Sequence, residues 1–543
     1  MKHRRSHRTP AAPRRAAAGP SLREEIVALH RAIYRRNQIR INQSVLGYTP
    51  AFRRYERDYT RAVATYERRA SFYELDRELA AADVVYVGDY HTLPQAQRAF
   101  LRLLRRLPET RPVTVALELV PARRQRDVDA YLGGRVDVDE LRDLVLPDFG
   151  EWQNWREILE LSRARGYHVI GIDAAARGPT GSKLGGRDRF AARRITRARE
   201  RWPAAPVFVL VGELHVAPGH LPLEVQRLAR QPLQDVIVYQ NCEAIWQDLE
   251  RRGIEHAVEL VRVRSHEYAL MNTPPIVCQQ SFLNWLDIDE GLPEVGAPEE
   301  RFHKYARSIA ELFELPLGDA LDEVEVASVV DLSFLQRLRR RGDFSEADMR
   351  AIKRQILASE SYYIPRAKMV YLGRLAINHA TEEATHFLRH ISADNDEPKS
   401  LVDAFYARCL EEALGFLGSK VINHKRKCPH LPWFERVARS RAVSAGERRL
   451  ARLVLAHARM EAGEKVRGLA RIYRSDAETF NAVTHVLGYM LGDKLYYAML
   501  DGRLEKREIR SLFFDPFDDE GEALASYLYL VARTRDVQVP ERL

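Results

Sequence analysis

The sequence predicts an α/β protein: a parallel sheet of about five strands covered by helices, followed by a large all-α C-terminal domain. Three observations predict it. Between residues 83 and 241, short β-branched runs alternate with amphipathic helical stretches. Each run is apolar along its whole length, as in a strand covered on both faces. From about residue 296 to the end, apolar residues recur at helical spacing instead.

The elements follow in order. Residues 1–20 carry Lys2, Arg4, Arg5, Arg8, Arg14 and Arg15 and no acid. They supply most of the net charge of +9, so the basic balance describes a solvated, disordered tail rather than a nucleic-acid surface. Ser21 and Glu24 have capping-box spacing and open N-terminal helices over 21–82. Strands then read as "DVVYVG", "PVTVALELV", "YHVIGID", "APVFVLVG" and "DVIVYQN", separated by helices such as "AQRAFLRLLRRL" and "DRFAARRITRARERW". Residues 242–295, with the pair Pro274–Pro275, connect this α/β unit (83–241) to the helical region (296–543). No run of about 18 apolar residues and no leader-like apolar stretch is present, so a cytoplasmic chain without a membrane span is expected. The four cysteines have no CxxC spacing, which argues against a zinc ribbon or a disulfide framework.

One pattern is written twice. A strand, a glycine, an acid and a histidine occur in "VVYVGDYHTLPQAQ" (84–97) and again in "FVLVGELH" (208–215). In a parallel sheet, functional groups collect beyond the carboxyl ends of the strands. If the chain stays extended there, Asp89 and His91 leave on one side, and so do Glu213 and His215. Glu118 ends a third strand and Asp173 a fourth, where burial should otherwise exclude charge. Two imidazoles with carboxylates can bind a divalent metal (zinc, manganese or iron), run metal-free acid/base chemistry, or hold a ligand by hydrogen bonds. The plainer alternative is that each acid caps the next helix.

These residues, together with "VTVALELVPARRQRDVDAYLGG" and "FGEWQNWREILELSRARGYHVIGID", resemble the ChaN family of the haem-binding-uptake and Tiki superfamily, which includes TraB-type proteins and is related to erythromycin esterases. The resemblance covers about residues 75–240. It implies one of two activities. ChaN-type members bind haem and use a tyrosine as an iron ligand; Tyr90 lies inside the first motif. Tiki-type members are metal-dependent hydrolases, in which His91 and His215 would ligate a metal with Glu118 and Asp89, and Glu118 or Glu213 would activate water. Haem or a divalent metal is the implied cofactor, and the resemblance ranks binding above hydrolysis. The large helical half and the missing lipoprotein signal depart from the ChaN pattern.

The Gly-rich "DAAARGPTGSKLGGRDR" lacks the phosphate-loop spacing and reads as a lid beside the strand ends. Its Arg177 and Arg187 would meet an anionic group, such as a haem propionate or substrate carboxylate. In "NHATEEATHFLRH", His379, Glu383, His386 and His390 share one helix face, but no second Glu-x-x-His helix completes a di-iron site. That face reads as polar packing. "HKRKCPH", with His424, Cys428 and His430, reads as a basic loop. The C-terminal helices are expected to offer a homodimer or protein-partner surface.

Overall fold

The computed structural model describes residues 20–44, 49–145, 152–174, 184–289, 297–328, 333–357, 361–373, 376–393 and 400–540. The basic tail up to residue 19 and Arg177 lie outside the described residues.

All five expected strands form: β2 (Val84–Asp89), β3 (Thr114–Pro121), β4 (His168–Asp173), β5 (Val207–Gly212) and β6 (Asp235–Gln240). The sheet is larger than five. It gains β1 (Arg68–Arg69), β7 (Leu260–Arg264) and β8 (Glu267–Leu270), in the order β1-β7-β8-β6-β2-β5-β3-β4. The run from β8 to β4 is parallel, whereas β7 pairs antiparallel with β8 and β1. The hairpin of β7 and β8 therefore extends the sheet beyond residue 241. Its "LVRVR" puts charge into a strand, which hides it from an apolar-run criterion.

Burial explains the unbroken apolar runs. Every residue of β2 and β5 is buried. Val85, Val87 and Leu210 face one helical layer, with Phe100 and Trp155. Val84, Tyr86 and Val209 face the other, with Ile195 and Trp246. Each such Val or Leu contributes about 1.5–3 kcal/mol through its removal from water.

β2 and β5 are neighbours in register, with Asp89 opposite Gly212, and β3 lies on the far side of β5. That strand order brings both glycine–acid–x–histidine segments and Glu118 to one rim. β3 is also irregular between Leu117 and Pro121. The irregular stretch crowds β4: a Cβ on Gly171 would lie 2.5 Å from the Val120 carbonyl oxygen. Only glycine admits that approach.

Three helices precede β2, over Leu22–Ser44, Pro50–Ala62 and Phe72–Ala81. Helix α1 (Leu22–Ser44) sends Ile26 and Ile33 into the same core as the C-terminal helices. Helix α2 (Pro50–Ala62) starts with Thr49 Oγ1 accepting from the Phe52 amide and buries Tyr55, Tyr59 and Ala62. Helix α3 (Pro94–Arg106) follows β2, and helix α4 (Leu184–Arg201) precedes β5.

The C-terminal region is mainly helical. Its central elements are α5 (Ile377–Ala393), α6 (Leu401–Ile422) and α7 (Ala477–Leu500). It also holds a small sheet, with Met369–Leu372 between Tyr362–Ile364 and Glu325–Ser328, so it is not purely α. Most of α6 is buried within this chain, which leaves the expected partner surface there without support. No described helix is long and apolar enough to cross a membrane.

Candidate functional site

The rim at the carboxyl ends of β2, β3 and β5 gathers the residues that the two motifs single out. Glu118 is its centre. Its Oε2 accepts from the Gly212 amide at 2.6 Å, and its Oε1 accepts from Arg187 Nη2 at 2.5 Å. His91 Nε2 lies 3.8 Å from one carboxylate oxygen and His215 Nε2 4.0 Å from the other. The two imidazoles thus meet on either side of one carboxylate.

Each imidazole has its own acid behind it. His91 Nδ1 donates to Asp89 Oδ2 at 2.9 Å, and Gln97 holds the other Asp89 oxygen at 2.6 Å. His215 Nδ1 donates to Asp188 Oδ1 at 2.5 Å, and the Tyr55 hydroxyl donates to Asp188 Oδ2 at 2.7 Å. Both rings therefore keep the proton on Nδ1 and turn Nε2 toward Glu118. Gly212 leaves the room for this. A Cβ there would lie 3.1 Å from His91 Nε2 and 3.4 Å from Glu118 Oε2.

The charges are strongly coupled. Burial alone would raise the Glu118 pKa, but His215, His91, Arg187 and the Gly212 amide outweigh it and hold the carboxyl down at about 2. Burial lowers that of His91, yet the Asp89 hydrogen bond and the charges of Asp89 and Glu118 bring it up to about 9. Glu213 goes the other way. Burial, only partly opposed by the Tyr59 hydrogen bond and His91, pushes it up to about 7. At neutral pH the rim thus holds an anion at Glu118, a cation at His91 and a carboxyl near its midpoint at Glu213.

Residues 75–179 match the family model described as haem-binding uptake, Tiki superfamily, ChaN. The chain carries a ChaN-like domain. Two solved structures are similar over about a third of this chain. One is ChaN of Campylobacter jejuni, from work on cofacial heme binding, at 16% identity and TM-score 0.26, covering 32% of this chain and 86% of that chain. The other is the type III effector HopBA1, at 14% identity and TM-score 0.25, covering 33% and 86%. No curated protein matches the sequence.

Within the ChaN-like domain and its flanks, several expectations change. The second motif is not extended, because Glu213–Val216 forms a 3-10 turn. Glu213 and His215 consequently diverge, Glu213 toward the Tyr59 hydroxyl at 3.2 Å and His215 toward Asp188. Asp173 joins the site through Arg187, at 3.3 Å. Arg187 itself stands on the first turn of α4 rather than on a lid, and the anion it meets is Glu118. Tyr90 packs against the core that includes the C-terminal helices. A small recess lined by Glu118, Asp173, Arg187, Asp188 and His215 has room for about one water molecule.

Sequence reasoning missed Asp188, Tyr55 and Tyr59. Asp188 carried a signal, since it falls in line with Ala191, Ala192 and Ile195 on the buried face of α4, where an acid needs a partner. Two sets of three donor atoms lie within 4.8 Å of one another among the described residues, Cys428–His430–Asp493 and Glu382–His386–Glu412. Both lie in the C-terminal region, the second on its helices and the first partly on the loop before residue 431.

Proposed function

We propose that the rim of the ChaN-like domain is a hydrolytic acid–base centre. One observation carries this reading: two imidazoles, each backed by a carboxylate at Nδ1, turn Nε2 to the same glutamate beside a recess for one water. His215, oriented by Asp188 and Tyr55, accepts the proton of that water at Nε2. Glu118, fixed by Arg187 and the Gly212 amide, orients the water. His91, charged at neutral pH, donates to the leaving group or to the developing oxyanion.

The substrate class follows from charge. Asp89, Glu118, Asp173, Asp188 and Glu213 outnumber Arg187 and His91, which disfavours a phosphate and suits an uncharged carbonyl ester or amide. A divalent metal would draw on His91, His215 and Glu118, with Asp89 and Asp188 behind the rings. The three-donor sets within 4.8 Å lie elsewhere, so no step is routed through a metal.

The family match favours a second reading, haem or iron binding. Arg187 would face a propionate, and Tyr90 or His91 the iron. The recess is the size of a water, so the macrocycle would have to lie over the rim.

The test uses the purified full chain with a panel of chromogenic esters and amides, before and after chelation. The hydrolytic reading expects turnover that survives the chelator and falls at least about a hundredfold in folded His91→Ala and His215→Ala. It fails if those variants turn over substrate as fast as the parent. A stoichiometric red-shifted Soret band on haem titration, weakened in Tyr90→Phe, would support the second reading instead.

A further inference from the structure

We propose that the buried face shared by α5, α6 and α7 is a site for one divalent transition-metal ion, held by Glu382, His386 and Glu412 and separate from the strand-end rim. One imidazole nitrogen and one oxygen from each carboxylate lie within 4.8 Å of one another. The three residues are only 4%, 7% and 4% exposed. Within that enclosure His386 Nε2 has no hydrogen-bond partner among the described residues, which an interior normally does not tolerate.

The packing is built around that ring. A Cβ on Gly415 of α6 would stand 2.2 Å from His386 Nε2, and one on Gly418 would stand 1.9 Å from Thr385 Oγ1. Glycine at both places lets α5 approach α6 closely enough to bring His386 beside Glu412. Glu382 and His386, one turn apart on α5, therefore find their complement in Glu412 on α6.

Charge asks for a cation. Glu382, Glu383, Glu411 and Glu412 face two guanidiniums, Arg408 and Arg426. Arg426 donates to Glu382 Oε2 at 2.9 Å, with the Tyr489 hydroxyl on the other oxygen. Arg408 reaches Glu412 Oε1 at 2.6 Å, and His485 Nδ1 lies 3.0 Å from Oε2. Each oxygen keeps a second lone pair, so these neighbours orient the ligands as an outer shell does. The four carboxyl groups outnumber the two guanidiniums. His485, beside Glu412, is half exposed. One imidazole with two carboxylates suits manganese, iron or zinc.

The experiment titrates Co2+ into the full-length His91→Ala/Cys428→Ser variant, which removes one donor from each other candidate set. The expected result is one tightly bound equivalent, lost on adding His386→Gln or Glu412→Gln. Unchanged Co2+ stoichiometry and affinity in folded His386→Gln overturns the proposal, as does the absence of bound Co2+ in the starting variant. If His386→Gln does not fold, the X-ray absorption spectrum of the Co2+-loaded starting variant decides. One imidazole with oxygen ligands supports the site; any other imidazole count, or sulfur, rejects it.

Discussion

Asp188 Oδ1 accepts a 2.5 Å hydrogen bond from His215 Nδ1 across 27 residues of sequence, and its other oxygen takes the Tyr55 hydroxyl. The acid thus sets which nitrogen of His215 carries the proton. Asp188→Asn would offer a donor to Nδ1 and reverse that choice. We expect a fall in turnover of roughly 10²- to 10⁴-fold with KM little changed. Nitrogen-15 NMR of the ring checks the cause directly, because the dominant tautomer should switch. An unaltered tautomer in the folded variant would remove Asp188 from the orienting role.

His91 ties stability to pH through Asp89. Its pKa is raised from 6.5 to about 9, so the folded state holds this proton more tightly than the unfolded chain. The stabilisation is fully present below about pH 6.5 and disappears as pH rises through about 9. The side chain is 35% exposed, which keeps the contribution to about 1 kcal/mol. Tm measured across pH 6–10 should slope downward in the parent, and His91→Gln or Asp89→Asn should flatten that slope.

Glu213 acts with the same sign for a different reason. Burial raises its pKa from 4.5 to about 7, so the folded state favours the neutral carboxyl. Its contribution is complete below about pH 4.5 and is lost as pH rises through about 7. Glu213→Gln keeps the shape and the Tyr59 contact without the charge. Denaturant unfolding should find the variant more stable than the parent at pH 8 by on the order of 1–2 kcal/mol, and no more stable at pH 4.5.

The five central strands and the doubled motif were legible because their signals are local: β2 and β5 are apolar throughout and each ends in glycine, acid and histidine. The meeting of His91 and His215 at Glu118 depended on strand order, which a run of residues does not state. Tyr55 and Tyr59 come from α2, far upstream, and only packing aims them at Asp188 and Glu213. The Glu382–His386–Glu412 set was obscured because its third donor is one of two adjacent glutamates on another helix, with no spacing of its own to mark it.

Gly171 tests how β4 supports Glu118. A methyl group there would lie 2.5 Å from the Val120 carbonyl oxygen and 2.8 Å from Val120 Cγ1. Backbone cannot give way as a flexible side chain does, so β3 must shift. Gly171→Ala should cost about 1–3 kcal/mol in urea unfolding. Because Glu118 lies in the displaced stretch, the change should also lower turnover. Loss of stability with full activity would separate the β3 irregularity from the placement of Glu118.

Lys420 and Asp493 join α6 to α7 through a buried ion pair. The ammonium also donates to the Tyr497 hydroxyl oxygen at 3.2 Å and sits 4.3 Å from that ring's centre. His430 Nε2 holds the second Asp493 oxygen at 2.8 Å. Burial would raise the Asp493 pKa, but Lys420 and His430 bring it down to about 2. Its stabilisation is therefore present above about pH 3.8 and fades as pH falls through about 2. Lys420→Met leaves the carboxylate buried without its main partner and should cost about 3–5 kcal/mol at pH 7. Removing both charges in Lys420→Met/Asp493→Leu should recover much of that loss, because the desolvation of the acid goes with it. If the double variant is as unstable as the single one in urea unfolding, the damage lies in packing between α6 and α7 rather than in the stranded charge.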